Sequence, residues 1–159
     1  NLFVKHFKGV DKLYTPFFTG IQKDNSKSLR VEEISPELND VNVVTPQILS
    51  RDADEIIRFA QQCKSMGYKE INLNMGCPFP RVANKARGCG LMTEPQHAIE
   101  MFEKIFDNID IKFSIKCRLG YKSNEEIYDF LEVFNRLPFS EIIIHPRIGK
   151  QKTNGENPG

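Results

Sequence analysis

VNVVTPQILSRDADEIIRFAQQCKSMGYKEINLNM, residues 41–75, decides the fold. Residues 41–49 are β-branched and apolar, the signature of a buried strand. Beyond them Ile56, Phe59, Ala60, Cys63 and Met66 recur at helical spacing. Asp52 and Glu55 are spaced as a capping box, and Gly67 is placed as a stop. Residues 69–75 then return to an apolar alternation, so a helix joins two strands.

The unit repeats along the chain. A helix is predicted over about 94–107 from Ile99, Phe102, Ile105 and Phe106, a strand over 111–117, a helix over 123–135 from Ile127, Phe130, Leu131 and Phe134, and a strand over 140–145. Upstream, DKLYTPFF (11–18) reads as a short strand and 22–40 as a long polar connection. Strands joined by helical crossovers imply a parallel sheet with covered faces, which fits a doubly wound sheet or a (β/α)8 barrel. No G-x-G-x-x-G follows any strand, which lowers the dinucleotide-binding alternative. The end, KTNGENPG, lacks periodicity, so 152–159 is expected to be an irregular tail.

Composition narrows the function classes. The 159 residues suit one domain, and an apolar fraction of 40% is enough for a core. Lysine plus arginine (22) nearly balance aspartate plus glutamate (21), so basic surface must be local. The four cysteines, at 63, 77, 89 and 117, form no C-x-x-C pair, which argues against a zinc ribbon or a thioredoxin motif, and no metal is expected. A reduced, cytoplasmic chain follows. No apolar run approaches the ~18 residues of a membrane span, and NLFVKHFKGV is not laid out as a signal peptide. The first residue is not Met, and Leu2, Phe3, Phe7 and Gly9 read as the end of a helix, so a piece of something longer is expected.

Polar residues gather where the strands end. Gln47 closes the strand from 41, Asn74 and Cys77 follow the strand from 69, Lys116 ends the strand from 111, and His145 ends the strand from 140. In a parallel α/β sheet all strand C-termini lie on one face, where ligands bind. An ammonium at Lys116 inside a buried strand needs a partner or costs desolvation energy, which points to an anionic ligand. His145 and Gln47, taken singly, are equally well read as satisfied core residues. Cys63 and Cys117 fit packing positions, and Cys89, between two glycines, is left open. Cys77 sits in a Gly-Cys-Pro turn where a buried small residue would more usually be Ala or Val. An ordinary thiol, with a pKa of about 8.5, is mostly protonated at neutral pH and can serve as a proton donor. With no histidine beside it in sequence, activation as a nucleophile is unsupported.

Four stretches carry a family resemblance: NLNMGCPFPRVANKARGCGLM (72–92), VTPQIL (44–49), SIKCRLGY (114–121) and IIIHPRIGKQ (142–151). Together they resemble tRNA-dihydrouridine synthases, flavin enzymes that reduce uridines in transfer RNA, over about residues 1–151. The resemblance implies a TIM barrel, FMN as cofactor, NADPH as reductant and tRNA as partner. It implies that Cys77 is the catalytic acid, giving a proton to C5 of uracil while a hydride from reduced FMN reaches C6. Asn74 matches the motif asparagine close to flavin and substrate base, and Gln47, Lys116 and His145 match residues that hold the isoalloxazine ring. Arg81, Lys85 and Arg87, with Arg118, Arg147 and Lys150, are expected to form a local phosphate-binding rim.

A complete barrel of this class has about 250 residues. The motif order therefore implies that 1–151 is a partial FMN-binding barrel holding strands two to six, without the first, seventh and eighth. Two alternatives stand beside this reading: an FMN barrel oxidoreductase acting on a free small molecule such as a dihydropyrimidine, and an inactive RNA-binding fragment.

Overall fold

The computed structural model describes residues 6–21 and 31–151. The first five residues of the expected helix end, the middle of the polar connection (22–30) and the expected tail (152–159) lie outside the described residues. Five strands, β1 (Leu13–Phe18), β2 (Val44–Ile48), β3 (Glu70–Met75), β4 (Lys112–Gly120) and β5 (Ile142–Ile148), form one parallel sheet in chain order. Helices α1 (Ala53–Ser65), α2 (Pro80–Ala83), α3 (Pro95–Asn108) and α4 (Tyr128–Arg136) lie between them, with 3-10 turns at Val31–Ile34, Gly88–Thr93 and Asn124–Ile127.

Alternation along β3 shows how the sequence divides the two sheet faces. Ile71, Leu73 and Met75 are fully buried, whereas Asn72 and Asn74 point to the other side with Glu70. On β4 the same division places Phe113, Ile115 and Cys117 on the apolar face and Ser114, Lys116 and Arg118 on the polar one. Register pairs Asn72 with Ser114 and Asn74 with Lys116, so the polar rows of neighbouring strands face the same way. The apolar face packs under the helices against Phe59, Phe102 and Phe130, each fully buried. Phe139 joins this layer, with ring centroids 4.9 Å from Phe106 and 5.3 Å from Phe102. Each such ring contributes about 1.5–3 kcal/mol by leaving water.

The sheet is strongly curled, which selects the barrel over the doubly wound sheet. In a flat sheet, β1 and β5 would be about 19 Å apart, four strand spacings of ~4.8 Å. Instead, Lys12, just before β1, reaches Glu141, just before β5, at 2.9 Å, and Tyr14 Oη donates to the same carboxylate at 2.8 Å. Lys12 also binds Glu70 at the start of β3, at 3.0 Å. The polar face is therefore concave, with Lys12, Tyr14, Glu70 and Glu141 at its N-terminal end. The chain forms a (β/α) barrel that is incomplete: among the described residues, β1 and β5 each lack a partner on their outer edge.

Three local expectations are corrected. β4 and β5 extend beyond 117 and 145, so Lys116 and His145 lie within strands and not at their ends. The predicted helix over 123–135 begins as a 3-10 turn, where Ser123 and Glu126 form a true capping box. Asp52 does cap α1, accepting from Asp54 N at 2.9 Å, but Glu55 is not its box partner. The Glu55 carboxylate accepts from Ser50 Oγ and from the backbone N–H groups of Gly20 and Ile21, tying β1 to the segment after β2.

Candidate active site

The upper half of the concave face brings together the polar side chains singled out at the strand ends. Gln47 on β2, Asn74 on β3 and Lys116 on β4 occupy successive strands, joined by the Asn74–Lys116 register and by a hydrogen bond from Asn74 Nδ2 to Gln47 Oε1 at 2.8 Å. His145 on β5 pairs in register with Arg118 on β4. Sequence reading missed two polar partners below them, Asn72 and Ser114, both fully buried. Gln47 Nε2 donates to Asn72 Oδ1 at 2.8 Å, and Asn72 Nδ2 donates to Ser114 Oγ at 3.0 Å. Their only signal was their place in the polar row of each strand.

Cys77 is held by a turn whose geometry comes from Asn74. Asn74 Oδ1 accepts from Gly76 N at 3.1 Å and Cys77 N at 3.0 Å, an Asx turn that carries the thiol just past the end of β3. Behind it, Cys89 N donates to the Cys77 carbonyl at 3.1 Å. Gly88 makes that approach possible: its φ is +55°, and a Cβ there would sit 2.6 Å from Cys77 O. Gly90 is as tightly placed, its Cβ position only 2.2 Å from Ala83 O. All four cysteines are free, and Cys77 alone is not buried. Burial pushes the Cys89 and Cys117 thiols up to about 11, and raises Cys63 further, so these three stay inert thiols at neutral pH.

A positive zone lies beside this turn. Lys116 is half-buried and has no acidic partner among the described residues. Burial first, then the charges of Arg118, Lys116 and Arg147, hold the His145 imidazole below its ordinary value of 6.5. It is neutral at neutral pH and is able to donate from one ring nitrogen and accept at the other. Three cations crowding one imidazole, on the concave face of a barrel, suit a ligand that brings negative charge or an acceptor-rich edge.

The expected rim divides. Arg81 and Lys85 are exposed at and just beyond α2, with no ion pair among the described residues, and Arg87 is half-buried at the start of the next 3-10 turn. Lys150 is exposed in the turn after β5, and Arg147 is half-buried on the strand itself. Arg118 is not on the rim. It is 5% exposed, and its guanidinium donates to Gly76 O at 2.9 Å and Ile148 O at 3.0 Å, bracing the Cys77 turn against the end of β5. Phe79, which sequence reading passed over, stands 57% exposed between Pro78 and Pro80. No helix among the described residues is long and apolar enough to cross a membrane, and no cluster of metal-ligating side chains occurs among them.

Comparison with known proteins gives one family. The profile described as Dihydrouridine synthase (Dus) matches residues 2–158. A probable tRNA-dihydrouridine synthase 1 of Synechocystis sp. is 25% identical over 154 residues, covering 96% of this chain and 42% of the relative. A tRNA-dihydrouridine(20/20a) synthase of Shewanella oneidensis is 36% identical over 97 residues, 58% of this chain and 29% of the relative. A probable tRNA-dihydrouridine synthase of Staphylococcus aureus is 37% identical over 90 residues, 57% and 27%. The chain thus spans less than half the length of these curated relatives.

Proposed function

The chain belongs to the dihydrouridine synthase family, and from that premise we propose that it is the central part of an enzyme that reduces uridine to dihydrouridine in tRNA, with Cys77 as the proton donor. One observation carries the reading: Lys116, half-buried and without an acidic partner among the described residues, stands in register with Asn74, the residue whose oxygen fixes the Cys77 turn. The cation and the turn that carries the thiol thereby sit on neighbouring strands.

The residues present fit FMN. Lys116 is a half-buried cation with no negative partner among the described residues, and the Gln47 side chain offers an amide that can bind a heteroaromatic edge. Lys116, Gln47 and neutral His145 would hold the isoalloxazine ring, the ammonium favouring negative charge at its pyrimidine edge. Bound there, FMN would supply the hydride that the chain's own side chains cannot, with NADPH as the reductant. Cys77 Sγ would give the proton that C5 of the substrate base takes up, and a general acid requires only reach and an available proton. Asn74 keeps the thiol in place through the backbone, and Arg118 braces the same turn from β4.

A base must leave its stack to reach such a site. Arg81 and Lys85 favour an RNA substrate over a free pyrimidine, because they place unpaired positive charge a few residues beyond Cys77. Phe79 adds an exposed ring, the kind of surface on which bases stack. The phosphate contacts proposed for Arg87, Arg147 and Lys150 extend that rim, and a cytoplasmic location follows from the substrate. The test is to supply full-length protein, FMN and NADPH with tRNA from a strain lacking its own synthases. Dihydrouridine should appear in the tRNA. Rapid turnover of free dihydropyrimidines, with tRNA left unmodified, would overturn the reading.

A further inference from the structure

We propose that Asn72 and Ser114 are positioning residues that lock the amides of Gln47 and Asn74 in the orientation the Cys77 turn sets, and so make the site's floor a donor edge. A carboxamide is nearly symmetric in shape, and turning it over exchanges an acceptor for a donor. In this chain, however, both ends of the network are backbone groups that cannot change role.

At one end, Gly76 N and Cys77 N can only donate, so the Asn74 oxygen must face them, at 3.1 and 3.0 Å. That turns Asn74 Nδ2 toward Gln47, whose Oε1 must accept at 2.8 Å. Gln47 Nε2 then faces Asn72 Oδ1, at 2.8 Å, and Asn72 Nδ2 faces Ser114 Oγ, at 3.0 Å. Ser114 Oγ–H donates in turn to Ile71 O, at 3.3 Å, which can only accept. The Cys77 turn demands this polarity, the contact from Ser114 to Ile71 agrees with it, and every amide between them obeys it.

The consequence reaches the ligand. Each NH2 of Gln47 and Asn74 uses one hydrogen inside the network, and the second has no acceptor among the described residues. Lys116, in register with Asn74, adds another donor, one without a partner among the described residues. The surface therefore suits a ligand edge rich in carbonyl or ring-nitrogen acceptors and rejects one rich in donors. Asn72 and Ser114 are fully buried on the concave face, where an apolar pair would avoid the cost of burying polar groups. Fixed polarity is the return on that cost. Only the identity of the ligand rests on the function proposed above.

The test uses full-length protein carrying 15N in its Asn and Gln side chains, comparing Asn72→Leu, Asn72→Asp and Ser114→Ala with the parent. Exchange of the Gln47 and Asn74 side-chain NH2 protons with water is the readout, and it needs no flavin. Asn72→Leu should speed Gln47 exchange by roughly tenfold, the worth of about one hydrogen bond, and disturb Asn74 in turn. Asn72→Asp should restore slow exchange, since an aspartyl side chain turns an oxygen toward Gln47 whether ionised or protonated. If Asn72→Leu does not fold, Ser114→Ala gives the same comparison from the far end, with faster exchange at Asn72 and Gln47 expected. Unchanged exchange in the folded variants, or an Asp variant as fast as the Leu variant, would overturn the proposal. Parent protein that binds no FMN would count against the proposed function alone.

Discussion

Asn74 Oδ1 accepts from the backbone N–H of Cys77 at 3.0 Å, so the thiol's position is set by a side chain on the concave face of the sheet. The same asparagine donates to Gln47 on the neighbouring strand. One residue therefore couples the turn that carries the proposed proton donor to the floor of the proposed flavin site.

Replacing Asn74 separates its two jobs. Asn74→Ala leaves Gly76 and Cys77 N–H without their acceptor and should cost about 1–3 kcal/mol, toward the lower end because water reaches this half-buried turn. Asn74→Asp keeps an acceptor for the turn but loses the donor to Gln47. Thermal unfolding should thus separate the Ala variant from the Asp variant, while uridine reduction should fall in both. Equal stability of Asn74→Ala and the parent would remove the turn's dependence on this side chain.

Lys116→Met tests the positive zone. Without the ammonium, negative charge on bound flavin would lose the counter-charge proposed for it, so FMN should dissociate more readily and its reduction potential should move in the negative direction. The measurement is a dye-linked reductive titration, with Cys63→Ala as a control that affects packing only. A positive shift in potential would contradict the assigned role.

The ion cluster at the other end of the barrel gives a pH prediction. Lys12 and then Tyr14 hold the Glu141 carboxyl below its ordinary value of 4.5, because both donate to it. A carboxylate depressed in the folded state contributes stability above its unfolded pKa, and that contribution is lost as pH falls through the folded value. Urea unfolding should therefore show stability declining below about pH 4.5, with a shallower decline in Lys12→Met. The same acid limb in both proteins would show that the cluster does not link β1 to β5 in solution.

The outer edges of β1 and β5, unpaired among the described residues, make a prediction for residues 1–159 expressed alone. Each edge presents backbone groups that pair readily with another chain. Size-exclusion chromatography should show association or aggregation, with little flavin absorbance across the peak. A monodisperse yellow monomer would mean that five strands suffice for a stable flavin site.

Much of this was legible in the sequence, for identifiable reasons. The apolar alternation of residues 69–75 and the helical spacing from Ile56 to Met66 each report directly on burial, so the strand and helix order followed from them. Lys116 stood out because an ammonium in an apolar strand is costly. Asn72 and Ser114 did not, since their significance lies in partners 25 and 42 residues away, which local pattern cannot reveal. Glu55 was misread for the same reason: capping-box spacing from Asp52 is a local signal, and a buried contact with Ser50, Gly20 and Ile21 overrode it. Arg118 looked like any basic residue past a strand, until the extra length of β4 drew it under Gly76.

The proton-donor role of Cys77 is tested most directly by reoxidation of reduced full-length protein mixed anaerobically with unmodified tRNA, comparing the parent with Cys77→Ala. Both proteins should bind FMN and be reduced by NADPH at similar rates, because Cys77 is needed only when the base is protonated. Reoxidation by tRNA should then be about 10² to 10⁴ times slower in the variant, the usual contribution of a general acid. Equal reoxidation rates, with dihydrouridine formed by both, would contradict the role assigned to this thiol.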